Sequence, residues 1–135
     1  MLNIAVMASG KGSNLHAILE AVSDGRIRQA RVVVVISNNS DAGALDIARE
    51  HGIPAVHQSR KQFASDELFR DALRETLTRH GANFIALAGY MKKVDPGIIQ
   101  EFRNRIVNIH PALLPEFGGS GMYGMNVHKA VIASK

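Results

Sequence analysis

Five consecutive β-branched residues, Val32 to Ile36, constrain the fold more than any other feature of this chain. A strand with one face in water alternates apolar and polar residues, and this run has no polar member. A strand of this kind is covered on both faces, as in parallel sheets that are flanked by helices. The run therefore predicts a buried strand over Arg31 to Ser37 in a parallel sheet.

Strand and helix patterns alternate along the rest of the chain. The other predicted strands are Leu2–Ala8, Ile53–His57, Phe84–Ala88 and Arg105–Ile109. The predicted helices are Ser13–Val22, Asp41–His51, Ser65–His80, Pro96–Phe102 and Tyr123–Ser134, with Gly52 and Gly81 after the second and third of them. This alternation predicts the α/β class: an open, mainly parallel twisted sheet with helices on both faces. Since the chain has 135 residues, we expect one domain over residues 1–135.

Composition excludes several other classes of protein. The chain is 46% hydrophobic and 21% charged, which is incompatible with global disorder or a coiled coil. No apolar run exceeds five residues, so no transmembrane helix and no membrane partner are expected. The amino terminus lacks the basic start and long apolar region of a signal peptide, and there is no cysteine. The expected location is the cytoplasm.

The net charge of +4 raises the question of nucleic-acid binding. The basic residues are scattered, however, and the five Phe and two Tyr residues form no stacking pattern. We therefore expect small anionic ligands and no nucleic acid. The six histidines show neither HxxxH nor HExxH spacing, so no metal site is expected either. No surface patch in the sequence identifies an oligomer.

The loop after the first strand is the first candidate site, because ligands bind beyond the carboxyl ends of parallel strands. It is not a GxGxxG motif, since Leu15 stands where the third glycine is needed, and it lacks the Gly-Lys-Ser/Thr of a P-loop. Free amides at the start of the next helix, around Ser13 and Asn14, favour a phosphate. A plain tight turn with Ser13 as the helix cap fits the same residues.

The end of the fifth strand is the second candidate. Asn108 and His110 are two residues apart and share one face of the strand, which Pro111 ends. A carboxamide donor beside an imidazole can stabilise an oxyanion and move a proton. For an isolated Asn-x-His motif, a structural role for both side chains is the commoner alternative.

Three segments, Ile4–Asn14, Leu87–Met91 and Asn108–Pro115, together resemble a known family. The chain is similar to the glycinamide ribonucleotide formyltransferases, the folate-dependent formyltransferases of purine synthesis. The last segment is shared with formyltransferases that act on initiator methionyl-tRNA, whereas the first loop is more specific for a phosphoribosyl substrate. The resemblance implies a Rossmann-like formyltransferase fold.

The resemblance also assigns site residues by position. It implies phosphate contacts at Gly12, Ser13 and Asn14, and catalytic roles for Asn108 and His110. Folate contacts are implied at Met91, Lys92, Lys93, Val94 and Asn108. The implied reaction moves a formyl group from 10-formyltetrahydrofolate, a co-substrate, to the amine of glycinamide ribonucleotide, without a metal. The alternatives are a 10-formyltetrahydrofolate hydrolase, or a fragment that binds a phosphorylated ligand without turnover.

The chain departs from the family pattern at two places. The family often has an arginine near the start of the third helix, where this chain has Ser65-Asp66-Glu67, and Arg60 or Lys61 are the nearest substitutes. The family also continues beyond the position of Lys135, with an aspartate that orients the catalytic histidine. We therefore expect a C-terminally truncated chain, the amino-terminal phosphate-binding part of the catalytic domain, with weak activity alone.

Overall fold

The computed structural model describes residues 1–109, so His110 and the predicted helix Tyr123–Ser134 lie outside the described residues. The strands are β1 (Leu2–Ala8), β2 (Ala30–Ser37), β3 (Ala55–His57), β4 (Phe84–Ala88) and β5 (Ile106–Ile109). The helices are α1 (Ser13–Ser23), α2 (Gly43–Glu50), α3 (Asp66–Arg79) and α4 (Pro96–Glu101), with a one-turn 3-10 helix at Arg60–Gln62. No helix within residues 1–109 is long and apolar enough to cross a bilayer.

The five strands form one sheet in the order β3-β2-β1-β4-β5, and every neighbouring pair is parallel. This confirms the predicted parallel sheet. The chain runs outward from β1 through β2 to β3, then returns to β1 to place β4 and β5 on its other side. The order therefore reverses between β1 and β4, and the crevice beyond such a reversal is where ligands bind in open α/β sheets.

Both faces of the sheet are covered, as the run Val32 to Ile36 predicted. Val35 lies in one buried cluster with residues of α1 and α2, whereas Val34 and Ile36 lie in a second cluster with residues of α3 and α4. All three are fully buried. Val32 and Val33, nearer the amino end of β2, are only partly buried.

Two element boundaries differ from the predicted ones by two residues, and the others agree to within one residue. Helix α2 begins at Gly43 instead of Asp41, because Ala42 is extended (φ −61°, ψ 130°) and acts as the N-cap. Strand β3 begins at Ala55 instead of Ile53, since Pro54 has no N–H to donate to a ladder. The 3-10 turn at Arg60–Gln62 was not predicted; its capping box joins Ser59 and Gln62.

Candidate active site

The carboxyl ends of β1, β2 and β4 are joined at Ser9, the first residue after β1. The Ser9 hydroxyl donates to Asn38 Oδ1 (2.5 Å) and accepts a hydrogen bond from the Met91 backbone N–H (2.8 Å). The Ser9 N–H donates to the Gly89 carbonyl (3.3 Å). Sequence reasoning missed Ser9, although a small hydroxyl residue directly after a buried strand is a recognisable signal.

The glycine loop that follows Ser9 opens helix α1. Gly12 is the N-cap, in the left-handed conformation (φ 91°, ψ 16°), and no side chain caps the helix. Ser13 is the first helical residue, so the expectation that Ser13 itself is the helix cap is wrong. The first turn of α1 contains no acidic residue. An amino terminus of this kind leaves backbone N–H groups and a partial positive charge for an anion.

The loop is held tightly against α2. A Cβ at Gly12 would lie 2.7 Å from Ile47 Cδ1 and 2.8 Å from Ala44 Cα, and a Cβ at Gly43 would lie 2.6 Å from the Lys11 carbonyl oxygen. The Ala44 N–H also donates to the Gly10 carbonyl (3.2 Å). Glycines are required at Gly12 and Gly43 because two backbones approach each other there.

The three residues expected to contact a phosphate have different surroundings. Gly12 is buried and Ser13 is exposed, at the start of α1. Asn14 is half-buried, and its amide nitrogen lies 3.8 Å from the position that a Cβ on Gly89 would occupy. Asn14 therefore brings the start of α1 close to the turn after β4.

A cleft of about 810 Å³ opens beyond the carboxyl ends of the strands. Its lining residues are Ser9, Asn38, Asn39, Ser59, Arg60, Lys61, Asp66, Phe69, Tyr90, Lys92, Lys93, Val94, Asp95 and Pro96. Three of the residues expected to contact folate, Lys92, Lys93 and Val94, are among them. Met91 is not, and its side chain is 80% exposed.

The cleft is basic because four of its lining side chains are cationic and only two are acidic. Asp66 forms an ion pair with Arg60, and Asp95 accepts a hydrogen bond from the Gly97 N–H (2.7 Å) at the start of α4. Within residues 1–109, Lys61, Lys92 and Lys93 form no ion pair. Both proposed substitutes for the family arginine, Arg60 and Lys61, lie in this cleft, although Arg60 is engaged by Asp66.

Two further groups complete the rim. Tyr90 lines the cleft, and burial raises the pKa of its hydroxyl, so the neutral form that can donate a hydrogen bond is favoured. Asn108 is half-buried on β5 opposite Leu87 of β4 and does not line the cleft. Its expected partner His110 lies outside the described residues. Residues 1–109 contain no group of three or more histidine or carboxylate side chains that could hold a metal.

Comparison with known proteins identifies similar sequences and structures. A family model described as formyl transferase matches residues 2–134. A chloroplastic phosphoribosylglycinamide formyltransferase from Arabidopsis thaliana is 46% identical over 132 residues, which are 97% of this chain and 45% of the relative. A phosphoribosylglycinamide formyltransferase from Haemophilus influenzae is 41% identical over 91% of this chain and 58% of the relative.

A solved structure agrees with the sequence comparison. Glycinamide ribonucleotide transformylase 1 from Symbiobacterium toebii superposes with a TM-score of 0.76 at 45% identity, covering 87% of this chain and 55% of that one. The chain thus spans about half the length of the relatives that it matches.

Proposed function

The chain belongs to the formyl transferase family, and we propose that it supplies the substrate-binding rim of an enzyme that formylates glycinamide ribonucleotide in purine synthesis. The formyl donor is 10-formyltetrahydrofolate, which acts as a co-substrate, and the proposed compartment is the cytoplasm. Residues 1–135 form a single α/β domain in this proposal. The observation that carries it is the start of α1, which has no side-chain cap, beside a basic cleft.

The phosphate of glycinamide ribonucleotide binds at Gly12, Ser13 and Asn14. Gly12 exposes the first N–H groups of α1, and the hydroxyl of Ser13 adds a donor at the first helical position. The helix has no acidic residue in its first turn that would repel the dianion. Lys61, Lys92 and Lys93 add positive charge to the neighbouring cleft, which suits the carboxylates of a folate.

The donor lies along Met91, Lys92, Lys93 and Val94, with its formyl group near Asn108. The substrate amine attacks the formyl carbon, and the resulting oxyanion accepts a hydrogen bond from the Asn108 carboxamide. The oxyanion then re-forms the carbonyl as the bond between that carbon and the folate nitrogen breaks. His110 delivers a proton to the departing nitrogen, and the attacking nitrogen loses its additional proton to water. Much of the rate comes from holding the two substrates side by side at one edge of the sheet.

Calorimetric titration of the chain with glycinamide ribonucleotide tests the phosphate site. We expect saturable binding that excess inorganic phosphate competes away. Ser13→Ala should weaken binding by about tenfold, because a hydrogen bond to a charged group is lost. Ser23→Ala makes the same change at the other end of α1 and should bind like the unmodified chain.

Two results would contradict the proposal. Equal weakening by the two serine substitutions would place the ligand away from the start of α1. Release of formate from 10-formyltetrahydrofolate in the absence of glycinamide ribonucleotide, with no formylated ribonucleotide when it is present, would identify a hydrolase instead.

A further inference from the structure

We propose that Ser9 is a positioning residue that sets the spacing between the loops for the two substrates, an inference that rests on the proposed function. Ser9 is three residues before Gly12, where the phosphate loop begins. Its hydroxyl also receives the N–H of Met91, the first residue of the proposed folate segment (2.8 Å). Ser9 therefore lies in the segment that leads into the phosphate loop, and its side chain contacts the start of the folate segment.

These contacts use the one proton of the Ser9 hydroxyl and one of its two acceptor positions. The hydroxyl donates its single proton to Asn38 Oδ1 (2.5 Å) and accepts from the Met91 N–H, so the loops after β2 and β4 are both tied to the end of β1. The partners are 29 and 82 residues away in sequence. No other residue of the 1–109 range bonds through its side chain to both of these loops.

One backbone hydrogen bond and one backbone torsion angle limit the positions that the Met91 loop can adopt. The Ser9 N–H donates to the Gly89 carbonyl (3.3 Å), and Gly89 has a left-handed backbone (φ 74°) close to the Asn14 amide. These contacts fix where the loop leaves β4. Beyond Gly89, the Met91 side chain is 80% exposed and provides little packing to hold the loop. Tyr90 and Val94 pack against the buried cluster on either side of this segment, and the Ser9 hydroxyl holds the backbone between them at Met91.

Loss of the Ser9 hydroxyl should affect the binding of the two ligands differently, which loss of a purely structural contact would not do. Without the hydroxyl, the Met91 loop samples other positions, and the folate segment must be ordered when the donor binds. The affinity for the formyl donor should therefore fall. The affinity for the phosphorylated substrate should not change, because α2 holds the phosphate loop independently at Gly12 and Gly43. A general loss of stability would weaken both ligands together.

The first test is amide hydrogen exchange, followed residue by residue by NMR. In Ser9→Ala, exchange at Met91 should accelerate by about fivefold, the effect of losing one ordinary hydrogen bond. Ser9→Thr keeps the hydroxyl and should restore slow exchange. Asn38→Ala removes only the bond to the loop after β2 and should affect Met91 less than Ser9→Ala does.

The second test is calorimetric titration with 10-formylfolate, an oxidised and stable form of the donor, and separately with glycinamide ribonucleotide. Ser9→Ala should weaken the binding of 10-formylfolate by about tenfold and change the binding of glycinamide ribonucleotide by less than about twofold. Asn83→Ala is the matched control, because Asn83 Oδ1 accepts from the Asn3 N–H (2.8 Å) at the opposite end of the sheet. That variant should bind both ligands like the unmodified chain.

The positioning role of Ser9 and the proposed function are contradicted by different results. If the unmodified chain binds 10-formylfolate and Ser9→Ala binds it equally well, the positioning role is wrong and the proposed function stands. Unchanged exchange at Met91 in Ser9→Ala would also overturn the positioning role. If the unmodified chain binds neither ligand, the proposed function fails, and the inference that rests on it fails as well.

Discussion

One backbone torsion angle shapes the loop that opens α1. Gly12 has φ 91°, and the space where a Cβ would stand is occupied by Ala44 and Ile47 of α2. Gly10, two residues earlier in the same loop, has open space around it and no left-handed backbone. The two glycines therefore have different physical roles, although both belong to the same motif in the sequence.

Replacing each glycine by alanine should separate these roles. Gly12→Ala should lower the free energy of unfolding by about 2–4 kcal/mol, the sum of left-handed strain and overlap with α2. Gly10→Ala should change it by less than about 0.5 kcal/mol. Urea unfolding followed by circular dichroism measures both, and equal effects would contradict the packing of this loop on α2.

Tyr90 provides a prediction for alkaline pH. Burial raises the pKa of its hydroxyl above the ordinary value of 10.0, so the unfolded chain loses this proton more readily than the folded one. The stability from the neutral hydroxyl is complete below about pH 10 and is lost as the pH rises through the folded-state pKa.

The comparison is with Tyr90→Phe, which has no proton to lose. Urea unfolding is measured between about pH 8 and pH 11 in steps of about half a pH unit. The free energy of unfolding should fall more across this range for the unmodified chain than for the variant. Ionisation of all other groups is common to both proteins. A stability difference that stays constant across this range would contradict the prediction.

At the scale of single elements, strand ends and helix caps follow local chemistry. The bounds of β1 and β4 were predicted to the residue, and α3 lies between its predicted ends, with Ser65 and His80 as its caps. The start of α2 was not: Ala42 is its N-cap, and the next residue, Gly43, packs against Lys11, which is far away in sequence. Local patterns cannot report such a contact.

The Ser65 cap can be tested by itself. Its hydroxyl accepts a hydrogen bond from the Leu68 N–H (3.1 Å) at the start of α3. Ser65→Ala should lower the unfolding free energy by about 1 kcal/mol, whereas Ser65→Thr, which keeps the acceptor, should lose less. The measurement is the urea concentration at the midpoint of unfolding, compared between variants whose unfolding free energy depends on urea with the same slope. An alanine variant as stable as the unmodified chain would show that the cap contributes nothing.

At the scale of the whole molecule, the two buried faces of the sheet should be equally sensitive to the introduction of a hydroxyl group. Val34 and Val35 are adjacent, fully buried and on opposite faces of β2. Val34→Thr and Val35→Thr each place a hydroxyl in an apolar cluster and should each cost about 1–3 kcal/mol. Val32→Thr, on the partly exposed part of the same strand, should cost less than half as much.

Thermal or urea unfolding of the three variants tests this. A strong loss at only one of Val34 and Val35 would mean that one face of the sheet is open to water. That result would contradict an architecture with helices on both sides.

Sequence patterns alone established the α/β class and the presence of each described strand and α-helix. These follow from periodicity and from glycine and proline chemistry, which act over a few residues. It also indicated the family, which the comparisons confirm. The assigned roles of Ser13, Asn14, Asn108 and His110 stay predictions.

Packing of the whole chain set the strand order, the lining of the basic cleft and the contacts of Ser9. The order β3-β2-β1-β4-β5 depends on which side of β1 each crossover packs, and local patterns do not report that side. Ser9 meets Asn38 and Met91 only because this order makes β2 and β4 the neighbours of β1. Similarly, Arg60 and Lys61 share a cleft with Lys92 and Lys93 through folding, since the two pairs are distant in the chain. Contacts over such separations are set by packing of the whole sheet.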